Sequence, residues 1–226
     1  MEIKESLIFS RIQMSDINIE DLAKVFNAHK YSDKAGIGFT YVHIEDNSIV
    51  TKILVRNPSY IQNYNIRENI FEKNIVYIYD ETDLILDYQL GLIYSTSSAT
   101  KFNKAKSLLR NCLKSKVTFK NIECSIEKMI EKIALLEWNP LIVDLSIKKF
   151  VYKEGAIGRF TVHLDNPQIG EELLKQYSGN ISRITLSVDS NAFSVFYLSI
   201  ASQSSFTIKC QESEFWLIVN IIKQKL

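Results

Sequence analysis

The sequence predicts an α+β chain built of two small mixed units with largely antiparallel sheets and packed helices. Three observations carry this expectation. Runs rich in β-branched and aromatic residues arrive in groups, helical periodicities interrupt them only occasionally, and 46% hydrophobic residues over 226 positions supply ample core. Strands grouped in this way pair with their chain neighbours, so a doubly wound nucleotide-binding sheet is not expected.

In order, "SLIFSRIQM" is a first strand. "SDINIEDLAKVFNAH" opens with capping residues Ser15 and Asp16 and places Ile19, Leu22 and Val25 or Phe26 at helical spacing. Two strands are expected at about 36–46 and 48–56, stopped by Asn57 and Pro58. "IVYIYDETDLILDYQL" has a polar centre between two apolar arms, which predicts a hairpin turning near Glu81 and Thr82. A short strand at Leu92–Ser95 precedes "SSATKFNKAKSLLRNCLKSK", where serines suit an N-cap and Phe102, Ala105, Leu109 and Cys112 or Leu113 form one stripe. A second helix, with Ile126, Met129 or Ile130, Ile133 and Leu136 inward, should end before Asn139 and Pro140. Beyond it come strands at about 141–152 and 156–164, a helix at 168–177, three strands within 181–210, and a last helix from Glu214. The organisation expected is an α+β unit over 1–122, a connecting helix over 123–139 and a second α+β unit over 140–226.

Composition excludes more than it selects. Twenty-seven Lys and Arg against 26 Asp and Glu leave no global field for nucleic acid or an anionic membrane. The N-terminal "MEIKESLIFSRIQ" lacks the basic-then-apolar layout of a secretory signal, and "FWLIVNII" at 215–222 falls far short of the roughly 18–20 residues that span a bilayer. A cytoplasmic chain with no membrane association is expected. Cys112, Cys124 and Cys210 form no CxxC pair, in keeping with reduced thiols and no thiolate metal site. The bias toward Ile, Lys and Asn points to an AT-rich bacterial or viral coding sequence.

"AGIGFTYVHIED" at 35–46 resembles "GAIGRFTVHLDN" at 155–166, matching Ile37, Gly38, Val42 and His43 with Ile157, Gly158, Val162 and His163. The match ends there, since a strand-like run follows the first and a helical one the second, so a duplicated module is not expected. Strand parity puts His43 with Phe39 and Tyr41 on an apolar face, and His163 with Arg159 and Thr161 on a solvated one.

The strongest local signal is electrostatic. Lys101, Lys104, Lys106, Arg110, Lys114, Lys116 and Lys120 occur between Gln89 and Asn121 without any acid. Lys106, Arg110 and Lys114 are four apart and form one helical ridge, mildly self-repelling unless an anion meets it. A phosphate backbone would do so, and these seven residues are the candidate nucleic-acid contacts. The alternatives are an acidic protein partner, a solvated face, or neutralisation by Glu123, Glu127 and Glu131.

Asp80, Glu81, Asp83 and Asp87 could serve a divalent metal, although turn chemistry explains them as well. Asp144 with Lys148 or Lys149 gives a second nuclease-like set. Tyr60, Tyr64, Tyr77, Tyr79 and Tyr88 could stack bases beside a basic groove, or fill a hairpin face. No phosphate loop, nucleophile elbow or zincin motif is present, and Gly36-Ile37-Gly38 lacks the third glycine and following helix of a dinucleotide site. The expected function is a non-enzymatic interaction or scaffold subunit of a cytoplasmic multi-protein assembly, one that could be nucleic-acid-associated, with a protein partner or a second copy of the chain and no metal or other cofactor. The alternatives are a DNA- or RNA-binding module and a metal-dependent nuclease.

Overall fold

The computed structural model describes residues 1–122, 125–201 and 204–226. In chain order they form β1 (Glu2–Met14), α1 (Ile19–Ala28), β2 (Ile37–Glu45), β3 (Ser48–Asn65), β4 (Ile70–Asp87), β5 (Leu92–Ser95), α2 (Ala99–Leu113), β6 (Val117–Lys120), α3 (Ile126–Ala134), β7 (Trp138–Lys153), β8 (Ala156–His163), α4 (Pro167–Gln176), β9 (Ile181–Ser190), β10 (Phe193–Ala201), β11 (Ser205–Gln211) and α5 (Phe215–Lys223). Strand pairings are antiparallel between sequence neighbours and between β1 and β11, and five helices accompany eleven strands, which is the α+β class. No helix among the described residues is long and apolar enough to cross a membrane.

Two compact units make up the chain. One comprises Met1–Arg11 with Lys120–Leu226, the other Ile12–Phe119, so β1 gives its beginning to the first and its last residues to the second. In the 12–119 unit the strand order is β2-β3-β4-β5 and then the end of β1. Helices α1 and α2 bury Leu22, Phe26, Phe102, Ala105 and Leu109 against it, and the rings of Phe26 and Phe39 stack at 4.4 Å. Each fully buried Leu or Phe among them contributes about 1.5–3 kcal/mol. In the other unit the order is β1-β11-β10-β9-β7-β8, with α3, α4 and α5 packed on it. Helix α5 buries Phe215, Ile218, Val219 and Ile222 but leaves Trp216 and Leu217 exposed, so it is amphipathic and not buried all round.

Several boundaries differ from the sequence expectation, each for a physical reason. Helix α1 is capped by Asn18, whose Oδ1 accepts the Asp21 N–H at 2.8 Å, while Asp16 takes a left-handed turn at φ 52°. Strand β3 passes through Pro58, tolerated because beyond Arg56 only β4 pairs with it. Strand β4 runs straight through Asp80–Asp83, where the expected turn would lie. Its polar residues there are met by long-range partners, Lys101 and Asn57 at Asp80 and Lys52 at Glu81 and Asp83. Helix α3 ends at Ala134, and Trp138 already opens β7, carrying Pro140 within the strand.

Candidate interaction surface

Among the described residues, β3 from Asn57 to Asn65 and β4 from Ile70 to Ile78 pair only with each other and make a two-stranded ribbon, rooted where the Arg56 N–H donates to the Gly36 carbonyl at 2.7 Å. The turn at its tip is built locally. Asn65 Oδ1 accepts the N–H groups of Arg67 (3.0 Å) and Glu68 (3.3 Å), its Nδ2 donates to Glu72, and Asn69 takes the left-handed φ of 55°.

Alternation along the ribbon sorts its side chains. Arg56 faces Tyr79, Pro58 faces Tyr77, Tyr60 faces Ile75, Gln62 faces Lys73 and Tyr64 faces Phe71, and all ten project to one side. That side is aromatic. Tyr60, Tyr64, Phe71, Tyr77 and Tyr79 are each about half exposed or more, between 48 and 67%. Arg56 lies 4.4 Å over the Tyr77 ring and Lys73 lies 4.3 Å over Tyr60. Five rings of 150–250 Å² exposed to this degree present on the order of 500 Å² of largely apolar surface, the upper end for the largest patch of a monomer, before Ile75 is added.

Six of the seven candidate nucleic-acid residues lie elsewhere on the 12–119 unit, and four of these have partners. Lys101 Nζ is 3.0 Å from Asp80, whose carboxyl the lysine holds below its usual range, and it also reaches the Glu81 carbonyl at 3.5 Å. Lys104 donates to Asn57 at 3.5 Å. Lys106 lies 4.7 Å over Phe102, and burial, then the like charge of Arg110, lowers its pKa. Arg110 lies 5.1 Å over Phe119. Lys114 turns the chain out of α2 at φ 53°, and Lys114 and Lys116 are exposed. Lys120 ends β6 and belongs to the other unit.

Parity separates the two signals that a stacking groove would combine. Asp80 and Asn57, where the lysines reach, lie on the helix-covered face of β3 and β4, and the tyrosines project from the opposite face. Tyr88 is apart from that set, its hydroxyl donating to the Ile17 carbonyl at 2.9 Å.

The acidic residues do not gather. Asp80 and Asp83 occupy opposite faces of β4, and Asp87 is buried and accepts the Leu90 N–H at 2.9 Å. No three His, Cys, Asp or Glu among the described residues are grouped as metal ligands. Asp144 accepts from His163 Nδ1 at 2.8 Å, while Lys149 stands at a left-handed φ of 55°. Glu127 accepts from Gly179 N–H and Ser178, and the Gly179 bond above all lowers its pKa. Glu123 and Cys124 lie outside the described residues. Cys112 is half-buried and Cys210 buried.

His43 is exposed, against the expectation of an apolar face. A bulge between Phe39 and Tyr41 shifts the register, so Phe39 is buried while Tyr41 and His43 turn outward. Thr51 fixes the bulge by donating from its buried hydroxyl to the Tyr41 carbonyl at 2.5 Å. His163 lies on the solvated face, as parity predicts.

The ribbon escaped the sequence reading because Pro58 and the acidic centre of β4 imitate strand ends. The signal that could have found it is the alternation of "YIQNY" against "FEKNIVYIY" around the turn-forming "NIREN".

No protein-family model matches the chain, and no curated protein matches it. A solved structure described as "Ntf2 like protein involved in plasmid conjugation" aligns over 88% of this chain and 90% of its own at 10% identity, with a TM-score of 0.16. A likeness that slight carries no argument.

Proposed function

We propose that this chain is a non-enzymatic interaction subunit that docks a protein partner on the aromatic face of the β3–β4 ribbon. One observation carries the reading: five half-exposed rings and two cations share one side of a ribbon that pairs with no other strand. An isolated two-stranded ribbon is marginally stable in water, and Tyr and Arg are the residues that concentrate binding energy at protein interfaces. The partner suited to this face is an apolar surface with a carboxylate that meets Lys73, since Arg56 already has the Asp33 carboxylate at 3.6 Å.

The test replaces Tyr64, Phe71 and Tyr77 by Ser and compares wild type and variant by light scattering on a sizing column and by crosslinking from position 64. The wild type should elute with a stoichiometric protein, either a second copy or another chain, crosslinked at position 64. The variant should elute alone with its thermal midpoint unchanged. A wild type that is monomeric and uncrosslinked at the concentrations of its source rejects the reading.

A second reading rests on the exposed Arg110, Lys114 and Lys116 at the end of α2, in a segment without acids. It takes DNA or RNA as the partner. Replacing Lys106, Arg110 and Lys114 by Gln should then flatten the log–log salt slope of binding by about two to three units. Absence of binding by the wild type in low salt removes this reading.

A further inference from the structure

On the unit formed by Met1–Arg11 and Lys120–Leu226, the outward face of the sheet carries a continuous polar row. Ser6, Thr207, Ser199, Thr185, Asp144 and His163 are successive cross-strand partners from β1 through β11, β10, β9 and β7 to β8. Beside the row, Leu7, Phe206, Ile208, Leu198, Ile200, Ile184, Leu186 and Leu145 turn into the core, so the row follows from strand alternation.

Its hydroxyls bond to one another, Ser6 with Thr207 at 2.8 Å and Thr185 with Ser199 at 2.9 Å, and His163 closes the row on Asp144. A hydroxyl has one proton and two lone pairs. Each hydroxyl pair places only one of its two protons in the shared bond, so one O–H per pair is left to point at a further acceptor.

Cations flank the row. Two residues along from Ser6 and Thr207, Lys4 and Lys209 are themselves direct cross-strand partners, an opposition of like charges that destabilises a sheet. Glu2 meets Lys209 at 3.2 Å. Two residues along from Thr185, on the other side of the row, Arg183 is exposed. Lys4, Lys209, Arg183 and the row members Thr207, Ser199, Thr185 and Asp144, with the half-exposed Tyr197, line a cavity of about 380 Å³, within the range of small-molecule sites.

We propose that this face binds a sugar phosphate, with the phosphate between Lys4 and Lys209, the sugar hydroxyls along Thr207, Ser199 and Thr185, and Arg183 at the far end. A phosphate accepts from several directions at once, as the converging ammonium and hydroxyl donors require. A polyhydroxylated body both donates and accepts, as Ser and Thr do, whereas an apolar ligand would leave the second proton of each hydroxyl pair without an acceptor. Three strand spacings of about 4.8 Å separate β1 from β9 and four residues of about 3.3 Å separate the Lys4 level from Arg183, so the backbones of Lys4 and Arg183 stand about 20 Å apart and their long side chains must both reach inward to address opposite ends of one molecule.

The test is a titration of ¹⁵N-labelled protein followed by amide shifts, with ribose 5-phosphate up to about 10 mM, enough to detect a Kd of about 1 mM. Free ribose and inorganic phosphate form separate arms. Saturable shifts are expected at Thr185, Ser199 and Thr207 with ribose 5-phosphate, weaker ones with phosphate, and none with ribose. Lys4→Gln with Lys209→Gln should weaken binding about tenfold, equal to about 1.4 kcal/mol, while the dispersed spectrum shows the variant folded. Absence of saturable shifts at those amides, or an unchanged affinity in the double variant, overturns the proposal. Equal affinity for phosphate alone overturns its sugar component. Phe71→Ser on the ribbon should leave the titration unaltered, so this site and the proposed docking function stand or fall separately.

Discussion

The Asp144 carboxylate raises the pKa of His163 above its ordinary 6.5, first through their hydrogen bond and then through charge. A raised pKa means that the pair stabilises the fold below the unfolded value and that this contribution is lost as pH rises through the folded one. Asp144→Asn should bring the imidazole midpoint, followed by NMR, back toward 6.5, and an unmoved midpoint would show the two groups apart in solution. Burial raises the thiol pKa of Cys112 and Cys210. Since the thiolate is the reactive form, both should label far more slowly in native protein than in denaturant. Gly38 and Gly158, matched in the similar dozen-residue stretches, are not equivalent. A Cβ at Gly38 would stand 2.4 Å from the Tyr31 backbone nitrogen, whereas at Gly158 it would meet nothing within 4 Å. Gly38→Ala should cost about 1–3 kcal/mol in denaturant unfolding, and Gly158→Ala should be nearly neutral. The sequence alone placed His163 correctly and His43 wrongly, because parity holds along a regular strand and a bulge of one residue reverses it.

At the level of elements, helices were more legible than strand ends. Ser98, Ser125 and Asn166 cap α2, α3 and α4 through bonds to Lys101, Lys128 and Gln168, local chemistry that a sequence window contains. Asn18→Ala at the start of α1 should cost about 1 kcal/mol by the same reasoning, read from a denaturation midpoint. Strand β4 shows the opposite case. "DETD" has turn composition, but its carboxylates answer Lys52 and Lys101, residues about twenty to thirty positions away, and no local pattern reveals them. Breaking the half-exposed Lys101–Asp80 pair with Lys101→Met should change stability by no more than about 1 kcal/mol, so a larger loss would mean that it anchors the ribbon root. The seven basic residues were legible as a segment, but their division among an ion pair, an amide and two aromatic faces was not.

At the level of the molecule, replacing residues 59–76 by Asn-Gly should join Pro58 to Tyr77 through a tight hairpin turn and leave the thermal midpoint near that of wild type, since the part removed contributes no fully buried side chain. A collapse of cooperative unfolding would show that the ribbon supports the core. The route of β1 through both units has a further consequence for biosynthesis. Glu2–Ile8 pair with Ser205–Gln211, so this segment meets its partner strand only about 200 residues later in synthesis, roughly 10 to 40 s at 5–20 residues per second. Meanwhile the intervening Ile12–Phe119 has been synthesised, and the β1 edge bearing Ile3 and Leu7 still lacks the strand it pairs with, the kind of open edge on which chains associate.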